Sequence, residues 1–98
     1  MNMQAIMAQA QRMQRDITQK KNEIDNMEFV GKSEWVEATM KGTKELTNIK
    51  ILSDEAFNKD NAEILSDMIS IAVNNASKQI DAELDKKLGA YKNMGGLM

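Results

Sequence analysis

The stretch WVEATMKGTKELTNIKI, residues 35–51, decides the fold class because it has the pattern of a β-hairpin. Over residues 36–41, apolar and polar side chains alternate, which places each set on its own face of a strand. The apolar set is Val36, Ala38 and Met40. Gly42 follows in a polar turn, where we expect it to supply the positive φ that a tight hairpin needs.

The second strand of the hairpin is predicted over residues 46–51. Its three apolar residues break strict alternation once, which predicts a β-bulge near Thr47 and Asn48. The segment before the hairpin opens with Phe29 and Val30, and we expect two or three short strands in all. A sheet of this size is not stable by itself, so it needs helices that cover it.

A long amphipathic helix is predicted before the hairpin. Between residues 3 and 27, apolar residues recur at alternating spacings of three and four, with Lys20 as the single cationic exception. At 1.5 Å per residue this helix would be about 37 Å long, against a diameter of about 26 Å for a compact domain of this size. The helix must therefore project as an arm or pack along another long helix.

A second long helix is predicted after a polar link over residues 52–59. Asp60 or Asn61 can cap its first turn, with Glu63 completing a pattern similar to a capping box. Its apolar face is wide over the first half and narrows toward Tyr91. This shape suits burial against a sheet at the base and contact with a single helix at the tip.

These elements predict an α+β fold in the order α-β-β-(β)-α, with two long helices flanking a small antiparallel sheet. We expect a single domain over residues 1–92 and a flexible tail over residues 93–98. The chain has 98 residues, and its hydrophobic content depends heavily on alanine and on nine methionines. A core this thin predicts that the chain gains stability by self-association.

The composition excludes several classes of function. The chain contains no Cys, no His and no Pro, so it lacks the thiolate nucleophile, the commonest general base and the usual metal ligands. Glycine-rich phosphate loops and nucleophile motifs are also absent. We therefore predict no enzymatic activity, no metal, no cofactor and no small-molecule substrate. No apolar run approaches the roughly 18 residues of a membrane span, and the signal-peptide pattern is missing, so we expect a soluble cytoplasmic protein without membrane contact.

Basic residues gather on one face of the first helix. Residues 1–22 hold four Lys or Arg and one acid, Asp16, whereas the whole chain has a formal net charge of -2. The face opposite the apolar seam consists of Gln4, Ala8, Gln11, Arg12, Arg15, Gln19 and Asn22. Arg and Gln side chains can follow a phosphate backbone. A merely solvated face would have the same pattern, and the acidic whole predicts weak, salt-sensitive association with DNA.

Four segments in order resemble the YbaB/EbfC family of nucleoid-associated proteins. They are MAQAQRMQ at residues 7–14, VEATMKG at 36–42, IKI at 49–51, and EILSDMI at 63–69 followed by AVNNA at 72–76. The first is similar to the Met- and Gln-rich helix of the family, the next two to its hairpin, and the last to the start of its final helix. Order, spacing and total length agree across nearly the whole chain.

The resemblance implies a tweezer-like homodimer that binds duplex DNA in the nucleoid of the bacterial cytoplasm. The sheet and the helix bases would form the body of the dimer, and the long helices would project as arms. The residues expected to contact DNA, mainly through its backbone, are Arg12, Arg15, Gln19, Lys20, Lys21, Lys78, Lys86 and Lys87. The residues expected at the dimer interface are Trp35, Val36, Ala38, Met40, Ile69, Val73 and Ala76.

A prefoldin-like helical-arm chaperone, or another protein-interaction module, is the alternative function. Helix, hairpin and helix is also the layout of a prefoldin subunit, and methionines near the chain ends could form adaptable apolar tips. A dimer that shifts DNA would favour the first function, and a hexamer that suppresses aggregation would favour the second. Trp35 has two interpretations of its own, because it could stack on a nucleobase or cover the base of a helix.

Overall fold

Two long helices, one before and one after three strands, make up most of this chain. A computed structural model describes residues 2–91. The elements are α1 (Met3–Asp25), β1 (Glu28–Lys32), β2 (Val36–Lys41), β3 (Leu46–Ile51) and α2 (Ala62–Leu88). The strands form one antiparallel sheet in the order β1-β2-β3. The predicted α+β class is confirmed, with three strands. The predicted tail over residues 93–98 lies outside the described residues.

The hairpin of β2 and β3 contains the predicted bulge. Thr39 pairs with Asn48, and the next residue, Met40, pairs with Leu46. Thr47 is therefore the extra residue, and its Oγ1 donates a hydrogen bond to the backbone oxygen of Thr39 at 3.2 Å. The extra residue returns Leu46 to the same sheet face as Met40, which is why the apolar pattern of β3 breaks once.

Gly42 provides space and not a positive φ, which corrects the sequence prediction. Within residues 2–91, the non-glycine residue with a positive φ is Lys44, at 73°. A Cβ on Gly42 would lie 1.7 Å from the backbone oxygen of Ile24, and the Gly42 N–H donates a hydrogen bond to the Met27 oxygen at 3.1 Å. The hairpin turn packs directly on the end of α1, and only glycine fits there.

Local hydrogen bonds set both ends of α1. The Asn2 Oδ1 accepts a hydrogen bond from the Gln4 N–H at 3.0 Å, so Asn2 caps the first turn. The helix ends at Asp25, two residues earlier than predicted, because Met27 already turns toward the hairpin to accept the hydrogen bond from Gly42.

The core lies between α2 and one face of the sheet. The apolar face of β2 is buried, as its alternation predicted. Opposite it, α2 places the small side chains of Ala72 and Ala76. The helix approaches so closely that a Cβ on Gly31 of β1 would lie 2.1 Å from the Ala72 oxygen. Farther along α2, Ile80 packs in one buried cluster with Ile24 of α1.

The link between β3 and α2 forms two short 3-10 turns, Asp54–Phe57 and Lys59–Asn61. The helix begins after Asn61, one of the two predicted caps. The Asn61 side chain, however, does not cap α2. Its Nδ2 donates a hydrogen bond to the backbone oxygen of Glu55 at 2.9 Å, so it stabilises the link instead.

The molecule is elongated. It measures 70 × 21 × 14 Å with a radius of gyration of 19.4 Å, against about 13 Å for a compact chain of this length. Burial falls along α1 from Ile24, which is fully buried, to Met3, which is 68% exposed. The first part of α1 therefore projects beyond the body as an arm. None of the helices within residues 2–91 is long and apolar enough to span a lipid bilayer.

Candidate nucleic-acid interface

The face of α1 that was predicted to contact DNA is exposed along its whole length. We call it the outer face, and it consists of Gln4, Ala8, Gln11, Arg12, Arg15, Gln19 and Asn22, all exposed. The helix places these residues on one side because they recur at spacings of three and four. At 1.5 Å per residue the outer face extends over about 27 Å.

Arg12 and Arg15 are the charged groups of the outer face. Neither forms an ion pair with any residue between 2 and 91. Lys21, on the neighbouring side of α1, is also exposed and is likewise unpaired within this range. Three cationic groups on α1 therefore keep a charge that the described part of the chain does not neutralise.

Asp16, the one acid among the first 22 residues, is turned toward the end of α2. The hydroxyl of Tyr91 donates a hydrogen bond to Asp16 Oδ2. Lys20 Nζ lies 3.3 Å from the same oxygen and 5.3 Å from the centre of the Tyr91 ring. We call these three side chains the arm cluster, because they join α1 to the residues that follow α2.

The arm cluster shifts the pKa of each of its members. The hydrogen bond from Tyr91, and then the one from Lys20, lower the pKa of Asp16 because they favour the carboxylate. The same carboxylate raises the pKa of Tyr91 and of Lys20 by favouring their protonated forms. The negative charge of Asp16 is thus satisfied within the cluster. Arg12 lines the same groove as Asp16, yet no ion pair joins these two residues.

Two of the lysines predicted to bind DNA are engaged within the chain. Lys20 belongs to the arm cluster, and Lys87 Nζ lies 3.7 Å from Glu23 Oε2 and 3.9 Å from Glu83 Oε1. The contact with Glu23 crosses from α2 to α1. Lys87 therefore joins α2 to α1, and Lys20 joins α1 to Tyr91, which follows α2.

Two further lysines of the predicted set, Lys78 and Lys86, are exposed on α2. Neither forms an ion pair with a residue of the described range. No hydrogen bond or ion pair within residues 2–91 joins Lys78 or Lys86 to Arg12 or Arg15. The predicted DNA-contacting residues therefore form two separate sets, one on α1 and one on α2.

Four of the seven residues predicted at a dimer interface have no surface for a partner. Val36, Ala38 and Ala76 are fully buried in the core of the chain itself, and Met40 is only 4% exposed. The reason is that α2 covers the inner face of the sheet. The remaining three, Trp35, Ile69 and Val73, are partly exposed and stay predicted interface residues.

Two features were missed by the sequence analysis. The arm cluster joins residues 75 positions apart, and its only signal in the sequence is that the chain has a single tyrosine. The second feature is Phe57, which is 70% exposed; an aromatic residue within a polar link was its signal. Within residues 2–91, no group of three or more His, Cys, Asp or Glu side chains could hold a metal ion.

Residues 1–96 match the model of the YbaB/EbfC DNA-binding family. The chain belongs to this family. Curated relatives include nucleoid-associated proteins of Streptococcus pneumoniae strains Hungary19A-6, CGSP14 and TIGR4. Each is 42% identical to this chain over 93 residues, which cover 93% of both chains. The resemblance predicted from four sequence segments is therefore confirmed. The YbaB/EbfC family is one of nucleoid-associated, DNA-binding proteins and not of enzymes.

Proposed function

We propose that this YbaB/EbfC protein binds duplex DNA as a homodimer in the nucleoid of the bacterial cytoplasm, mainly through backbone contacts and without catalysis. The observation that carries the proposal is the outer face of α1. It presents Arg12 and Arg15 unpaired, while the nearest carboxylate, Asp16, is bound to Tyr91 and Lys20. A face with this charge attracts phosphates and does not repel them.

We assign a DNA contact to each predicted side chain according to whether it already has a partner within the chain. Arg12 and Arg15 pair with phosphates through their forked donors, and Gln19 adds a neutral hydrogen bond. Lys21 strengthens the local positive field. Lys78 and Lys86 supply a second cationic set from α2, and Lys20 and Lys87 act by holding the arm in place. At about 35 Å, α1 is as long as one turn of duplex DNA.

A homodimer is supported by the shape and by the thin core. A single chain buries few large side chains, and its arm projects without a partner along its first turns. Two chains would double the number of phosphates contacted. Each phosphate contact releases counterions and so adds to the free energy of binding. Doubling the number of contacts therefore raises the affinity for DNA steeply. This compensates for the net charge of -2 on each chain.

The test is a mobility-shift titration with the double variant Arg12→Gln, Arg15→Gln. Glutamine preserves the helix and removes only the charge. A dimer would lose four phosphate contacts, so we expect DNA affinity at low salt to fall by about 10²-fold or more and the salt dependence to become shallower.

The matched control is the double variant Lys32→Gln, Lys50→Gln. Both lysines are exposed on the opposite face of the sheet from α2, on either side of Glu37, and the control loses the same charge. It should bind DNA nearly as the unaltered protein does. An equal loss of DNA affinity in both variants would mean that only the net charge matters. Unchanged DNA affinity in the arginine variant would mean that the outer face is not the DNA-binding site.

One observation favours a chaperone-like function as second candidate. Met3, Ile6 and Met7 are all more than 40% exposed on the arm, and methionine-rich apolar surfaces bind varied partners. Suppression of client aggregation by a hexamer, without any DNA shift, would favour this candidate over the first.

A further inference from the structure

Phe57 is the most exposed large apolar side chain of the described residues, at 70%. It closes the first 3-10 turn of the link, next to the start of α2. Beside it lies a shallow groove of about 390 Å³, which is lined by Phe57 itself together with Ala62, Leu65 and Ile69. A protruding aromatic ring and an apolar groove are therefore neighbours on one surface of the same chain.

We propose that Phe57 of each protomer inserts into the groove of a second copy of the chain, so that two rings are exchanged reciprocally. A two-fold axis uses the same patch on both partners, so a patch that carries both a protrusion and its complementary groove is self-complementary. One such pairing covers both rings and fills both grooves at once. This inference rests on the homodimer of the proposed function and names the contact that forms it.

The charges around the groove match this occupant. Lys59 lines the groove, whereas Asp54 and Glu55 lie in the same short turn as Phe57. None of these three side chains has an ion-pair partner within residues 2–91. When Phe57 of one protomer enters the groove of the other, the acidic turn that carries it approaches the lysine at the groove. Complementary charges at the rim favour this register over a displaced one.

A further exposed apolar residue lies just before the link. Leu52 is 44% exposed. The partly exposed Trp35 accepts, through its backbone oxygen, a hydrogen bond from the Leu52 N–H at 2.7 Å. A central aromatic anchor surrounded by smaller apolar contacts is the usual composition of a specific interface.

The experiment measures the mass of the purified protein in solution, without DNA, for two variants and for their mixture. Phe57→Ala removes the ring, and Ala62→Trp fills the groove. We expect either variant alone to dissociate about 10²- to 10³-fold more readily than the unaltered dimer, because two anchors are lost together. Both positions are exposed, and circular dichroism establishes that each variant is folded.

The mixture is the decisive measurement. A heterodimer of the two variants places the intact Phe57 of the Ala62→Trp chain in the groove of the Phe57→Ala chain, which keeps Ala62, Leu65 and Ile69 but lacks its own ring. At the other site, the introduced tryptophan fills the groove that no longer receives a ring. We therefore expect native mass spectrometry to detect the mixed dimer at concentrations where neither variant dimerises alone.

Ile71→Ala is the control, since Ile71 is 56% exposed on α2 but does not line the groove; it should remain dimeric. A dimeric Phe57→Ala, or two monomeric variants that do not combine, would overturn the reciprocal exchange. A monomeric unaltered protein would overturn both this contact and the proposed homodimer. DNA titration of the arginine variant reports on the outer face separately, because that variant should stay dimeric.

Discussion

Tyr91 and Asp16 illustrate how single side chains position α1. Their hydrogen bond joins residues 75 positions apart, and the ion pair between Lys87 and Glu23 lies about two helical turns closer to the sheet. Exposed polar contacts of this kind each contribute little to stability. The part of α1 before Asp16 is therefore held to the rest of the chain by few interactions, which leaves it free to adjust to a bound surface.

At this scale, we predict the titration of the single tyrosine. The ultraviolet absorbance of tyrosinate should report a pKa of Tyr91 above the ordinary value, because Asp16 favours the protonated hydroxyl. In the variant Asp16→Asn this pKa should return toward the ordinary value. Lys21→Gln, which removes a charge from the same helix outside the arm cluster, should leave it nearly unchanged.

The same shifts set the pH range over which the arm cluster is intact. The lowered pKa of Asp16 means that its contribution is present above the unfolded pKa and is lost as the pH falls through the folded one. The raised pKa of Tyr91 means that its contribution is present below the unfolded pKa and is lost as the pH rises through the folded one. A tyrosine that titrates identically in the unaltered protein and in Asp16→Asn would contradict the contact.

At the scale of elements, the packing of α2 on the sheet depends on residues with almost no side chain. Gly31 of β1 lies against the backbone of α2 at Ala72 and Ala76. Larger residues at any of these three positions would separate the helix from the sheet. The close approach also lets the Ser33 Oγ donate a hydrogen bond to the Met68 oxygen at 2.9 Å, which joins the end of β1 to α2.

We predict that Gly31→Ala destabilises the fold. Its Cβ would lie 2.1 Å from the Ala72 oxygen and 2.5 Å from the Ala76 nitrogen, so α2 has to move away from β1. The expected loss in the free energy of unfolding is about 2 kcal/mol or more, measured by urea denaturation.

Gly89→Ala is the matched control for that measurement. Gly89 has a helical φ of -58° and no atom within 4 Å of a built Cβ, so alanine there should be neutral or stabilising by up to about 1 kcal/mol. A similar loss of stability in both variants would indicate that the close approach of β1 and α2 is not what Gly31 provides.

The apolar patterns of the two long helices predict their burial to different extents. The apolar spacing of α1 predicted a helix and the side it would bury, but only its last turns are covered by the core. The wide apolar arc at the start of α2 predicted burial against a sheet, and this prediction is confirmed by Ala72 and Ala76. An apolar pattern identifies the helix face that must be buried, but it does not identify the element that buries it.

At the scale of the whole molecule, the elongated shape keeps the basic residues of the arm apart from acidic residues that a compact shape would bring close to them. The chain has 15 acidic and 13 basic residues, yet along the 70 Å of the molecule the arm keeps its two arginines on one acid-free face. Because exposed charges farther apart than about 10 Å are largely screened at ordinary ionic strength, the local charge of the arm matters more than the net charge.

Salt dependence is the prediction that belongs to the whole molecule. If two chains place four arginines on phosphates, affinity should fall by about 10²-fold between roughly 50 and 200 mM salt. A mobility-shift or anisotropy titration at the two salt concentrations measures this. A flat response would contradict binding through phosphates, and potassium glutamate in place of chloride would separate anion-specific effects from the screening of phosphate contacts.

The sequence by itself determined the elements and the family. Alternation over residues 36–41, the break near Thr47 and the apolar spacing of α1 are local patterns, and each predicted its local structure because backbone geometry repeats every two or 3.6 residues. The family followed from four such segments in the right order. The positions of Arg12 and Arg15 on an exposed face also follow from helical spacing alone.

Only the tertiary structure decided which of the predicted groups are free to act. Lys20 and Lys87 are paired, Gly42 provides space for the end of α1, and Phe57 is exposed beside a groove. Each outcome depends on where α2 crosses the sheet and where its end meets α1, which brings together residues far apart in the chain. Contacts of that kind are set by the packing of whole elements, and no local period in the sequence encodes them.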